Sequence, residues 1–229
     1  MAGIDARCAR VREERERMMR RTASVGVALA GALALSTVVA SVAAAAAPEF
    51  AGSFPDAFTS TTRTATLETV GRNKGHCKAA TGSGEVSGPK SLLITLTWTG
   101  CKKANLNCQN TSKAGVIVTG PLAGTLGYVT ERPKVVGIDL SSPTGGQVFS
   151  FTCGEDSGVE VYGSVIGKVS LKEPITFKFT QKEGHQRLTH LLGGPEDVPM
   201  ASLLGGPLQE AGIATAVALT FATPMKVIA

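Results

Sequence analysis

Apolar side chains recur at every second position in one segment of this chain after another. In SLLITLTWT (residues 91–99), Leu92, Ile94, Leu96 and Trp98 share one face, and Thr95, Thr97 and Thr99 share the other. QVFSFTC (147–153) sets Phe149, Phe151 and Cys153 against Ser150 and Thr152. PITFKFTQ (174–181) sets Ile175, Phe177 and Phe179 against Thr176, Lys178 and Thr180. ATAVALTF (214–221) aligns Thr215, Val217, Leu219 and Phe221. A period of two in Thr- and Val-rich segments marks half-buried antiparallel strands.

Shorter segments at 65–70, 115–119, 124–129, 134–140, 158–165 and 225–228 extend the pattern. SGPK, TGPLAG, SPTGGQ, CGEDSG and LKEP punctuate it, and 27 glycines spread along the chain suit tight turns between many strands. After residue 46 no segment keeps helical periodicity over three turns, although EDVPMASLL could form one short helix. The expected fold is therefore all-β, an antiparallel sandwich or barrel-like domain spanning residues 63–229. Residues 47–62 have no period and are expected to form a loose N-terminal arm. LLGGP occurs at 191–195 and at 203–207, which predicts two equivalent turns at one end of the sheet.

Residues 1–46 differ in kind. Arg20 and Arg21 precede a long run rich in Ala, Val and Leu that ends in small residues, as a secretory signal peptide requires. Cleavage is expected after Ala44, Ala45 or Ala46, giving a mature N-terminus within Ala44–Pro48. The alternative is an uncleaved anchor, since the run is long enough to cross a bilayer as a helix. Residues 1–17 sit awkwardly ahead of such a signal, and a start at Met18 or Met19 would be tidier. The leader also carries most of the excess charge. It holds seven Arg against Asp5, Glu13, Glu14 and Glu16, which leaves residues 47–229 with 16 basic and 14 acidic side chains. With no basic cluster interleaved with aromatics, a nucleic-acid partner is not expected, and membrane contact is confined to the leader.

Cys8 falls in the leader, so Cys77, Cys101, Cys108 and Cys153 remain. An even count in an exported chain points to two disulfides, for which three connectivities exist. Spacings of 24, 7 and 45 positions lack the tight pairs of a zinc site or of a redox-active C-x2-C. The polar connector KKANLN after strand 91–99 can turn back on itself, so the expected pairing is Cys101–Cys108 with Cys77–Cys153.

Catalytic constellations are thin. GHC at 75–77 and CGEDSG at 153–158, with Asp139 between them, resemble the His, Asp, Ser order of chymotrypsin-like proteases, which would require His76, Asp139 and Ser157 as a triad. Glu155 and Val159 stand where that family has glycine, and the span is too short for two barrels. His185 and His190 fall on opposite faces of a strand and read as separate polar residues. Trp98 lies on an apolar strand face and is expected in the core rather than on a sugar-binding platform. Asn110 opens the glycosylation sequon NTS. No catalytic, metal or cofactor residue is assigned.

Four stretches carry a resemblance: WTGCKKANLNCQN, GPLAGTLGYV, VVGIDLSSPTGGQVFSFTCG and VYGSVIGKVS. Through them the chain resembles a family of uncharacterised exported proteins from actinobacteria over about residues 75–206. The resemblance implies an exported β-domain and supplies no activity. The expected function is a binding or structural role in the cell envelope or outside the cell, for an envelope or extracellular ligand. The alternative is a secreted hydrolase with a loop-borne site.

Overall fold

The structure is a computed structural model that describes residues 47–154, 157–203 and 205–229. The expectations for the leader, its start and its cleavage concern residues outside these, apart from Ala47 and Pro48. In chain order the strands are β1 (Glu49–Ala51), β2 (Asp56–Thr69), β3 (Lys74–Cys77), β4 (Ala79–Gly88), β5 (Ser91–Thr99) and β6 (Lys102–Lys103). β7 (Leu106–Gln109), β8 (Val116–Val118), β9 (Leu122–Glu131), β10 (Lys134–Ser141), β11 (Gln147–Cys153) and β12 (Ser157–Tyr162) follow. The last are β13 (Ser164–Val169), β14 (Thr176–Phe179), β15 (Gln181–Lys182), β16 (His185–Gln186), β17 (Met200–Leu203), β18 (Gln209–Phe221) and β19 (Lys226–Ile228). The fold is all-β, with every pairing antiparallel. Residues 196–203 of EDVPMASLL form no helix; they run into β17, where Ala201 is buried and pairs with Val161.

Eight of these strands close on themselves. β2 pairs with β4, β4 with β5, β5 with β9, β9 with β10, β10 with β13, β13 with β14, β14 with β18, and β18 returns to β2. Neighbours on the ring follow one another in chain order, so this is an up-and-down barrel with insertions. Its bore is mostly apolar: Leu92, Ile94, Ile138, Leu140, Phe177, Val217 and Leu219 all point inward and are buried, with Asp56, Ser60 and Thr62 of β2 as buried polar exceptions. Its outer wall carries side chains such as Thr59, Thr61, Glu85, Thr125 and Lys168, all exposed. An eight-stranded barrel has a bore that side chains just fill, or that holds one small ligand.

The insertions form a second ring. β2–β3–β6–β7–β11–β12–β17–β18 also closes, sharing the long β2–β18 pair with the first barrel. The branch point is a bulge. Asp56, Phe58, Ser60 and Thr62 point inward, then Arg63 and Thr64 are both exposed, and Ala65 resumes the inward set. At that step β2 exchanges its partner β4 for β3, and β18 skips one register position between Thr215 and Val217. The Thr215 hydroxyl donates to the Thr64 carbonyl at 2.9 Å, holding the extra residue. A bulge bends its strand and sharpens the twist, and this one lets one sheet feed two rings.

The expected loose arm is ordered. β1 pairs with β19, and Phe50, Met225 and Val227 are buried with them, while the Phe50 amide donates to Pro89. This two-stranded ladder closes the end of the barrel where β2 begins. Residues 56–62 are the first half of β2 itself. The arm reads as loose in sequence because its inward positions include Asp56, Ser60 and Thr62, which break the apolar alternation.

The disulfide pairing differs from expectation. Cys77 bonds Cys101 and Cys108 bonds Cys153. KKANLN does turn back, as the β6–β7 hairpin, but there Cys108 donates its amide to the Cys101 carbonyl while its side chain faces β11. Both bonds brace short ladders of the upper ring. β3 meets β6 at the single pair His76–Lys102, and β7 meets β11 at two pairs, one of them Cys108–Cys153. The closed loops correspond to upper bounds of roughly 3.5 and 4 kcal/mol on the chain-entropy account. Ladders this short would not hold by themselves.

Candidate functional site

The two rings do not pack solidly where they meet. A cavity of about 90 Å³ lies between them. Its floor is barrel wall: Leu96 and Trp98 from β5, Leu122, Leu140 and Val165 from the adjoining strands, and Val217 from β18. Its roof comes from the upper ring, with Phe149 and Phe151 of β11, Leu67 of β2, Ile213 of β18, and Cys77, Cys101 and Cys108. Each cluster is explained by strand alternation, which delivers every second side chain of five different strands to one volume.

Two hydroxyls on this lining, those of Thr119 and Thr215, are already engaged. Leu96 donates its amide to the Thr119 hydroxyl at 2.9 Å and accepts from the Thr119 amide at 2.9 Å. That hydroxyl completes the wall where Pro121 interrupts the ladder between β8 and β9. Thr215 is held by its bond to Thr64. His76 and Lys102 pair across β3 and β6, next to the inward-facing Cys77 and Cys101, so alternation turns both of their side chains outward. The cavity surface is thus hydrocarbon and sulfur. Such cavities stay dry and accept apolar guests.

A smaller cavity of about 20 Å³ lies within the upper ring. Leu67, Gly75 and Phe151 border both cavities. Beyond them stand Thr69, Val159 and Leu203, then Asn73, Lys74 and Lys103. Lys74 reaches outward to Glu68 at 3.6 Å. Lys103 lies two residues after Cys101, on the inward face of its strand, half-buried, and has no ion-pair partner among the described residues.

The residues weighed from sequence sit elsewhere. His76 is on β3 of the upper ring, and Asp139 is on β10 of the barrel, where it pairs with Ile166 on the outer wall. No hydrogen bond joins His76 to Asp139 among the described residues. Ser157 begins β12 with its main chain opposite Cys153. His185 pairs with Glu210 at 3.0 Å, and His190 contacts Thr189, so the two histidines share no site. Trp98 is 9% exposed and belongs to the core. The Asn110 amide group is engaged at both ends: it donates to the Val118 and Ser150 carbonyls and accepts from the Val118 amide, stitching β8 to β11.

Asp139 has a distinct setting. The segment from 187 to 199 runs over the outer wall, its Leu191 side chain resting on Gly127 and Gly137 and its Leu192 amide bonded to Tyr128. A β-carbon at either glycine would stand within 3 Å of a Leu191 or Val129 methyl, so a larger residue there would displace those side chains. Beneath it, desolvation holds the Asp139 carboxyl above the usual range. The Ser164 hydroxyl pulls it down without closing a well-formed bond, and Asp197 pushes it further up.

The repeated LLGGP segments are equivalent turns: Gly194 bonds back to Leu191 and Gly206 to Leu203, with Gly193 and Gly205 both in the left-handed region. They do not share one end of the sheet. The first lies in the cover over β9 and β10, and the second joins β17 to β18. Neither doubled turn nor alternation signals the cavity, which arises only when the rings close.

Compared with known protein families, with curated proteins and with solved structures, the chain matches none.

Proposed function

We propose that this chain is an exported binding domain that takes a small apolar molecule into the cavity between its two rings. The observation that carries the reading is the cavity itself, lined by Leu96, Trp98, Val165, Phe151 and Ile213 between the two rings. Burial of ligand hydrocarbon against such a surface contributes about 25 cal/mol per Å² of apolar area. Two disulfides are compatible with an extracytoplasmic setting. Cleavage after any of Ala44, Ala45 or Ala46 would leave every described strand in the mature protein.

Trp98 is the only tryptophan in the chain and lines the cavity, so its emission reports occupancy. Titration of the oxidised protein with 1-octanol is expected to change that emission saturably. Ala65→Leu, which places a larger side chain into the same lining, is expected to abolish the change while leaving the β-type circular dichroism intact. A native protein without a saturable response, or an unaltered response in Ala65→Leu, would refute the proposal. For export, the processed protein should begin within Ala44–Pro48; exported material retaining Met1 would contradict it.

A further inference from the structure

The tract from the main cavity to the rim of the upper ring ends at a single unmatched cation. Hydrocarbon dominates the lining of the main cavity, and Leu67, Gly75 and Phe151 stand at the boundary of the two compartments and line both. Lys74, the other amine bordering the smaller compartment, is directed to Glu68. Lys103 is left on the inward face with Thr69, Asn73 and Leu203. A half-buried ammonium beside apolar walls is poorly hydrated, and a bound carboxylate would both neutralise it and accept its hydrogen bonds.

We infer that the ligand is an amphipathic monocarboxylate, with its apolar tail in the cavity between the rings and its carboxylate on the Lys103 amine. The inference rests on the binding function proposed above and adds the ligand's charge and its orientation. The step is purely non-covalent. Gly75 suits such a path, since a β-carbon there would meet nothing closer than the Lys102 carbonyl at 3.7 Å, and the glycine leaves that space clear between the compartments.

Three ligands of equal length separate the charge from the tail. Octanoate, 1-octanol and octylammonium are titrated against the purified, oxidised protein, with Trp98 emission as readout. Octanoate should bind about tenfold tighter than octanol, the scale of one charge-assisted hydrogen bond, and octylammonium should bind more weakly than either. Lys103→Gln should remove the preference for octanoate, bringing its affinity to that of octanol or below it. Raising the salt concentration should weaken octanoate binding to the native protein and leave octanol unaffected. Equal affinities for octanoate and octanol in the native protein, or a salt-independent preference that survives Lys103→Gln, would overturn the inference while sparing the apolar cavity. Failure of all three ligands to bind would overturn both.

Discussion

Asp139 shows how much a single side chain under cover can govern. Its carboxyl is raised from an ordinary value of 3.8 chiefly by burial beneath the 187–199 segment. A raised carboxyl binds its proton more tightly in the folded state than in the unfolded one. Stability from this group is therefore full below the unfolded value and is lost as pH rises through the folded value. Asp139→Asn removes the charge while keeping the shape. It should raise the melting temperature at pH 7 and lose that advantage below about pH 3.8, as thermal unfolding across pH would show. A stabilisation independent of pH would mean that the charge is not the cause. Little of this was legible in sequence, where Asp139 stood out only as a candidate triad member. The bridging roles of Thr119 and Asn110 were equally hidden, because hydroxyls and amides that substitute for main-chain partners leave no periodic trace.

Strands whose inward face is large and apolar announce themselves: β5 and β11 occupy the bounds that alternation predicts. β4 does not, because its inward positions are Ala80, Gly82, Gly84 and Val86. A β-carbon on Gly84 would strike the Phe58 ring, so small residues on β4 make room for a large one on β2. The segment 158–165, read as one strand, is broken into β12 and β13 at Gly163, which has φ 82°. The cysteine pairing was hidden because it depends on which short strands become neighbours in the upper ring. β1 and β19 were partly hidden too, though their role as a plug is testable. Phe50→Ala should cost about 3–5 kcal/mol in denaturant unfolding, as for a buried core aromatic. A loss below about 1 kcal/mol, the size of an ordinary surface or marginal change, would restore the loose arm.

At the scale of the whole molecule, alternation and turn spacing indicated an all-β fold but left sandwich and barrel open. Closure decides between them, and closure depends on β18 returning to β2 across nearly the full chain. The shared β2–β18 pair then sets two rings end to end, and the gap between them is what a ligand could use. That gap has no sequence motif, because its lining is drawn from strands distributed between Ala65 and Val217. Crystals of the protein soaked in 6-bromohexan-1-ol offer the most direct test, since anomalous scattering from bromine marks where the hydrocarbon end lies. One bromine peak is expected inside the fold, among Trp98, Leu122, Val165 and Ile213. Bromine found only on the outer wall, or nowhere in the protein, would contradict it.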